Sequence, residues 1–375
     1  MSAVLSESNI DERRMLADAV QGFARQAPHG DGVSRARALK NGDGHVDTAA
    51  WQAMAELGWL GIAVPEAAGG LGLGAGELAV VARGLGDDAA PEPFVAAVFA
   101  QTVIAACDNT KQVEALLAPS VEAASTLAIA WQPGAETLDL SAIVDRVVDG
   151  RLSARRHLVQ PAEADVFVVA VRDDDGIALY QVPRKMPGVA TTARRQVDGS
   201  TMVTLDLDGV ELSDGDRLAA GRCGEQALRR GLCVARIVAS AELRGLADRL
   251  FRLTSDYLAS RKQFGQQLSS FQVLRHRAVD LYIQGELMGH ALAQAVRAID
   301  RDVPLIELER AAARAKSRCS DAALRIGREA VQLHGAIGYT EEADVGVYLR
   351  RVLSLSAWLG NATAQRREYA RLCRD

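Results

Sequence analysis

Apolar residues recur at helical spacing along the first 27 positions, with Leu16, Val20, Phe23 and Ala24 on one face, and the pattern stops at Pro28-His29-Gly30. A helix is therefore expected over 1–27. Residues 31–46 are polar and glycine-containing, and a loop is expected there. The stretch from Trp51 to Leu73 predicts a helix ending at Gly58, a short apolar run, a turn at Pro65 and a glycine cluster that permits tight reversals. Helices are expected again over about 75–86 and 93–117. Between about Ser125 and Asp216 the pattern turns extended. Val166–Val171, Ile177–Val182 and Met202–Leu207 are short β-branched runs bounded by Gly, Asp and Pro. From Cys223 onward helical stripes return over about 224–259, 270–298, 304–335 and 352–372, broken at Gly265, at Val303-Pro304 and at Gly335–Gly338. Helices, then strands, then a four-helix bundle make an α+β chain. Its expected domains are an N-terminal helical domain over 1–122, a middle antiparallel β domain over 123–222 and a C-terminal bundle over 223–375.

Composition narrows the function classes. The chain has 375 residues, enough for two or three domains with a substantial core. A net charge of -5 offers no electrostatic case for nucleic acid or an anionic membrane. The five cysteines are scattered and odd in number, without a C-x-x-C pair, which speaks against a disulfide framework or a zinc site. The N-terminus is acidic where a signal peptide would be basic, and no apolar run approaches membrane-spanning length. A cytoplasmic protein is expected. Cys233 has no evident His or Lys partner to activate it, and His276, His290 and His334 share no metal-ligand spacing. No metal site is expected.

The most informative stretch is Arg261-Lys-Gln-Phe264-Gly265-Gln-Gln-Leu-Ser-Ser-Phe271-Gln272. Arg261 is a permanent, fork-shaped donor suited to a pyrophosphate. Phe264 offers a ring face to a purine, and Gln272 both donates and accepts. Taken alone, such a run is also an ordinary surface loop. A second stretch is Gln332-Leu-His-Gly335-Ala336-Ile-Gly338-Tyr339, whose bland reading is a helix end capped by Gly335. With Leu57-Gly-Trp-Leu-Gly-Ile-Ala-Val-Pro65-Glu near the N-terminus, these runs resemble the motifs of the FAD-dependent acyl-CoA dehydrogenases. The resemblance extends over essentially the whole chain.

That resemblance implies an oxidoreductase of lipid metabolism that removes the α and β hydrogens of an acyl-CoA thioester. A positioned carboxylate takes the α proton and FAD accepts hydride, because the α carbon is a poor acid. It implies FAD shared across a subunit interface, with one subunit cradling the flavin ring and its neighbour supplying the tail contacts. Here Arg261, Phe264, Gln272, Gln332, Gly335 and Ala336 match the tail-binding half, Ala336 replacing a second glycine. The ring-binding half departs from the pattern. Trp131 stands in place of a ring-contacting Thr, and Glu136-Thr137 in place of a Gly-Ser pair. Leu158-Val-Gln-Pro161 replaces a W-I-T-N segment.

Both places where the family keeps its base are also changed, to Leu359 and to Ala235, the latter followed by Arg236, which matches an arginine near the thioester. Glu242 lies seven residues after Ala235 on roughly the same helix face, in an apolar run. It is either a relocated base or an acid paired with Arg244, Arg236 or a neighbouring helix. The expected reading is a subunit of a heterotetramer that lends tail contacts to a base-bearing partner of the same family. Its substrate would be an acyl-CoA, bulky as in steroid side chains, and its acceptor one such as electron-transfer flavoprotein. The alternatives are a self-sufficient homotetramer using Glu242, and a non-catalytic scaffold of the same fold.

Overall fold

A computed structural model of the chain describes residues 7–42 and 46–374. Helices come first: α1 (Glu7–Gln26), α2 (Gly32–Asn41), α3 (Thr48–Glu56), α4 (Ala75–Asp88), α5 (Phe94–Ala105) and α6 (Thr110–Val121). Strands follow: β1 (Leu127–Ala130), β2 (Arg151–Val159), β3 (Val166–Asp173), β4 (Gly176–Pro183), β5 (Val189–Arg195), β6 (Thr201–Glu211) and β7 (Arg217–Ala219). The rest is mainly helical: α7 (Gly221–Ser260), a hairpin of β8 (Lys262–Gln263) and β9 (Gln266–Gln267), α8 (Gln272–Asp300), α9 (Leu305–His334), α10 (Val345–Ala357) and α11 (Ala362–Leu372). The chain forms two compact units. One comprises Asn41–Ala75 and Glu92–Ala235; the other comprises residues up to Lys40, Gly76–Pro91 and everything from Arg236.

The first unit holds the β sheets. A four-stranded sheet has the order β1-β3-β4-β7 and a three-stranded sheet the order β2-β6-β5. Side chains of both line one apolar cluster, among them Phe167, Val169, Val182, Leu205 and Val210. Five of the eight positions of β3 are buried, which is why its sequence is a continuous apolar run rather than an alternation. Every strand pair is antiparallel except β1 with β3, where Leu127 pairs with Val166 in parallel. Between these two strands the chain visits the other sheet as β2 and returns in its original direction, the long connection that parallel pairing requires. β5 closes the three-stranded sheet as a largely exposed edge carrying Thr191, Thr192, Arg194 and Arg195, charged and polar in the manner of a protected edge.

The second unit is helical. α9 crosses it with small residues along its buried side, including Ala312, Ala315, Cys319, Ala323 and Ala330, and packs against α8, α10 and α11. α4 and α7 meet backbone to backbone: a Cβ on Gly86 would lie 2.2 Å from the Glu242 carbonyl oxygen, and one on Gly245 would lie 1.9 Å from that of Arg83.

Three expectations are corrected. The expected loop over 31–46 contains α2, because Asp31 accepts from the Ser34 amide as a helix cap and Val33, Arg35 and Leu39 are buried. Gly32 donates to Asp88 at 2.9 Å, and Arg35 pairs with the same carboxylate, so the helix is tied down by polar contacts that a hydrophobic pattern does not register. The expected helix over 93–117 is two, α5 and α6, the second capped by the Asn109 side chain. The stripe over 352–372 is likewise two helices, broken at Trp358–Asn361, where Leu359 has φ +60° and Gly360 φ +96°.

The α4–α7 crossing has a measurable consequence. Gly245→Ala makes a better helix former by about 1 kcal/mol, yet the methyl has no room, and overpacking of this kind costs about 3 kcal/mol. Denaturant unfolding is expected to register a net loss of about 2 kcal/mol.

Candidate functional site

The stretch from Arg261 to Gln272 leaves the end of α7 as a tight hairpin. Lys262 pairs with Gln267 and Gln263 with Gln266, which leaves Phe264-Gly265 as a two-residue turn. Both have positive φ, +52° and +81°, the combination of a type I′ turn. Such a conformation is natural for Gly265 and costs a bulky L-residue about 1 kcal/mol. Phe264 is nonetheless 88% exposed, its ring edge-on to Phe271 at 6.2 Å. The Leu268 amide donates to the Arg261 carbonyl at 2.9 Å and closes the loop. The Arg261 guanidinium is exposed and has no side-chain partner among the described residues. Gln272, the first residue of α8, is also exposed.

The second stretch begins where α9 ends. Gln332, Gly335 and Ala336 are exposed, while Gly338 is buried with the Val331 carbonyl oxygen 2.6 Å from where a Cβ would stand. Gly335 has φ +66° and open space around it, so backbone conformation, not crowding, favours glycine there. Ala336 is not among the residues of positive φ, and its methyl is accommodated without strain. What joins the two stretches is a contact that sequence reasoning missed. The His334 ring stacks on Tyr257 at 4.4 Å, linking the end of α9 to the last turn of α7 four residues before Arg261. Nδ1 of His334 lies 2.8 Å from the Ala330 carbonyl, which can only accept, so Nδ1 carries the proton.

The third group surrounds the break between α10 and α11. Ala235 and Arg236 on α7 are buried, and Arg236 Nε donates to the Leu359 carbonyl at 3.3 Å. Gln365 on α11 donates to the same oxygen at 2.6 Å. Arg236 and Leu359, far apart in sequence, are thus brought together. Glu242 does not share that contact: its Oε1 accepts from Arg351 Nε on α10 at 2.7 Å, and both side chains are nearly inaccessible. Below them lies Lys316 of α9, fully buried. Its Nζ donates to Ser320 Oγ, the Leu355 carbonyl and the Ser356 carbonyl, each at 3.1 Å, with the Gly360 carbonyl at 3.4 Å. Burial and the nearby Arg236 push the Lys316 ammonium down to about 7. Cys319 beside it offers no counter-charge, since burial raises its thiol to about 12. A lysine on the buried side of an alanine-rich helix was the signal that sequence reading passed over.

In the β-containing unit, Trp131 is 3% exposed. Gln132, equally buried, donates through Nε2 to the Thr137 carbonyl at 3.0 Å, and its own carbonyl accepts from the His157 amide at 2.8 Å. The loop is closed on itself, with Ala135 and Glu136 exposed at its tip. Leu158 takes φ +55°, and Val159 and Pro161 are buried. Among the described residues no group of His, Cys, Asp and Glu could hold a metal ion, and no helix is long and apolar enough to cross a membrane.

Two family models match the chain: the acyl-CoA dehydrogenase N-terminal domain over residues 10–122 and the acyl-CoA dehydrogenase C-terminal domain over residues 224–372. The chain belongs to the acyl-CoA dehydrogenase family. It is 27% identical to acyl-CoA dehydrogenase IpdE2 of Mycobacterium tuberculosis, over 91% of each chain. It is 28% identical to benzylmalonyl-CoA dehydrogenase of Aromatoleum aromaticum, over 91% of this chain and 92% of that one. Among solved structures, the Tcur3481-Tcur3483 steroid ACAD superposes with a TM-score of 0.85 at 29% identity over 98% of each chain. The N-terminal helices, middle sheets and C-terminal helices are those of the acyl-CoA dehydrogenase fold.

Acyl-CoA dehydrogenases normally bind FAD. The residues that resemble the family's tail-binding half fit that group: an exposed guanidinium with no side-chain partner among the described residues, an exposed ring on a fixed turn, and an open glycine at a helix end. The residues at the ring-binding positions do not fit it. The side chain at the place of the ring-contacting Thr is an interior indole, and the loop around it spends its amide and carbonyl groups on itself.

Two predictions concern the buried charges. Removing one partner of a buried ion pair leaves the other uncompensated, so Glu242→Gln should lower the unfolding free energy by about 3 kcal/mol in denaturant titration. Lys316 is lowered in the folded chain from 10.5 to about 7. Between those values the unfolded state binds more protons, so stability rises with pH across the window, toward about 1.4 kcal/mol per pH unit. Lys316→Met should abolish that rise, and parallel pH profiles of unfolding for the two proteins would contradict it.

Proposed function

We propose that this chain is one subunit of a heterotetrameric acyl-CoA dehydrogenase, working in the cytoplasm beside a second subunit of the same family that carries the catalytic base. The contrast between two parts of the chain supports this most. Arg261 and Phe264 stand exposed with a shape suited to a dinucleotide tail, while Trp131, at 3% exposure, occupies the place of a flavin-contacting hydroxyl. A chain holding its own flavin needs the second part; a chain serving a neighbour needs only the first.

In this reading Arg261 binds the pyrophosphate through charge-assisted hydrogen bonds, Phe264 covers one face of the adenine, and Gln272 and Gln332 supply amide contacts. Backbone groups of the Gly335–Gly338 turn approach the phosphates where no side chain intervenes. FAD, when bound, supplies the hydride acceptor for α,β-dehydrogenation of an acyl-CoA thioester. The reducing equivalents pass on to an acceptor such as electron-transfer flavoprotein. Arg236 lines the thioester end of the site. Glu242 stays a structural carboxylate held by Arg351, since a base spoken for by a guanidinium at 2.7 Å is poorly placed to take a carbon-bound proton. The steroid ACAD at 29% identity, which bears two chain names, supports a paired assembly and a bulky acyl-CoA substrate.

Purified alone, the chain should be colourless; co-expressed with an intact family member, it should co-purify as a yellow, active complex. In that complex Arg261→Ala should weaken FAD by roughly thirtyfold, the loss of a charge-assisted contact of about 2 kcal/mol, read as a fall in the flavin-to-protein ratio on dilution. An unaltered ratio would count against the shared site. A yellow, active protein in the absence of any partner would favour a self-sufficient enzyme instead.

A further inference from the structure

The break between α10 and α11 is held by an arrangement that the reaction chemistry does not require. α10 ends at an exposed Ala357, but Leu355, Ser356, Trp358 and Leu359 around it are buried, and helix ends of this kind leave carbonyls without a helical partner. The surroundings are rich in acceptors. Besides the carbonyls of Leu355, Ser356, Leu359 and Gly360, the Gln365 Oε1 atom is buried without a hydrogen bond, as are the hydroxyls of Ser354 and Ser356. An ammonium brings three donors to one point. When protonated, Lys316 also carries positive charge to a helix C-terminus, where charge of that sign is favoured. Within the same turn Leu359 keeps φ +60°, a conformation that a leucine leaves readily when nothing restrains it.

We infer that Lys316 is the positioning residue of the Trp358–Asn361 turn: by gathering the Leu355, Ser356 and Gly360 carbonyls it holds Leu359 left-handed, with Arg236 and Gln365 fixing the Leu359 carbonyl from the other side. Lys316 touches no reacting atom. It acts through the turn, which in this family carries the side chain facing the substrate α carbon. The meaning of that position rests on the proposed function, whereas the restraint itself does not, and it can be tested on the isolated full-length chain without flavin, substrate or partner.

Amide hydrogen exchange of the full chain supplies the test. In Lys316→Met, amides of residues 356–362 should exchange on the order of tenfold faster or more, while amides in α8 keep their wild-type protection. Adding Leu359→Gly should restore much of the lost protection, because glycine adopts the left-handed conformation without restraint. A lysine that merely fills space would not be rescued at a distance by that change. If Lys316→Met does not fold, Gln365→Leu, which removes one of the two donors on the Leu359 carbonyl, should loosen the same amides. Uniform loss of protection across the helices, or a double variant no better protected than Lys316→Met, would overturn the inference.

Discussion

A helix that ends inside a protein leaves carbonyl oxygens that water cannot reach, and each one left bare costs about 1–3 kcal/mol. Near the end of α10 the buried Leu355 and Ser356 carbonyls accept from Lys316 of α9, and in the turn beyond it the Leu359 carbonyl accepts from Arg236 of α7 and Gln365 of α11. Apolar packing is indifferent to small rotations, whereas hydrogen bonds are directional. The alanine-rich side of α9 brings the helices close; the polar seam at the end of α10 sets their register. The Glu242–Arg351 pair adds a second seam further back along α10, again to α7.

In the proposed reading, the same seam lets the site keep its frame with leucine where the resemblance expects an acid. The turn that presents residue 359 is determined by what grips its backbone, not by what its side chain does. With leucine in place, the turn still takes φ +60°, and its carbonyl is still bound from two sides. The position is an apolar, buried side chain in a turn held from two sides. Ala235, immediately before Arg236, is buried too and offers no carboxylate at the second place where the resemblance expects one.

Much of this was legible in the sequence. Long apolar stripes marked α7, α8 and α9, and β-branched runs marked β3, β4 and β6, because each of these elements buries a whole face. The Arg261–Gln272 run and the Gln332–Tyr339 turn were legible as motifs, since their chemistry lies in side chains and glycines at fixed spacing. Less visible was whatever depends on polar contacts across long sequence distances. α2 hid behind a polar sequence because Asp31 and Asp88 hold it. The break at Trp358–Asn361 hid behind a continuous helical period: Gly360 and the Asn361 cap mark it locally, but its grip by Lys316, more than forty residues earlier, left no local signal. The Tyr257–His334 stack left no trace, as aromatic residues at two helix ends look alike whether or not they meet.

Two bulky residues in the chain share one strained backbone region and mean different things. Leu359 is 1% exposed, and three side chains of its own unit restrain the turn that contains it, so its strain is accounted for within the molecule. Phe264 is 88% exposed on a hairpin of two short strands, with a single edge-on contact to Phe271. A phenylalanine there incurs both the cost of positive φ and the cost of an apolar ring in water, while an asparagine, polar and tolerant of that φ, would lessen both. Nothing among the described residues offsets those costs beyond the edge-on Phe271 contact. The proposed dinucleotide tail would supply the compensating contact, a flat group that a ring can cover, beside an arginine equally without a side-chain partner among the described residues. This imbalance, more than any single motif, is what favours a cofactor gripped for the benefit of another subunit.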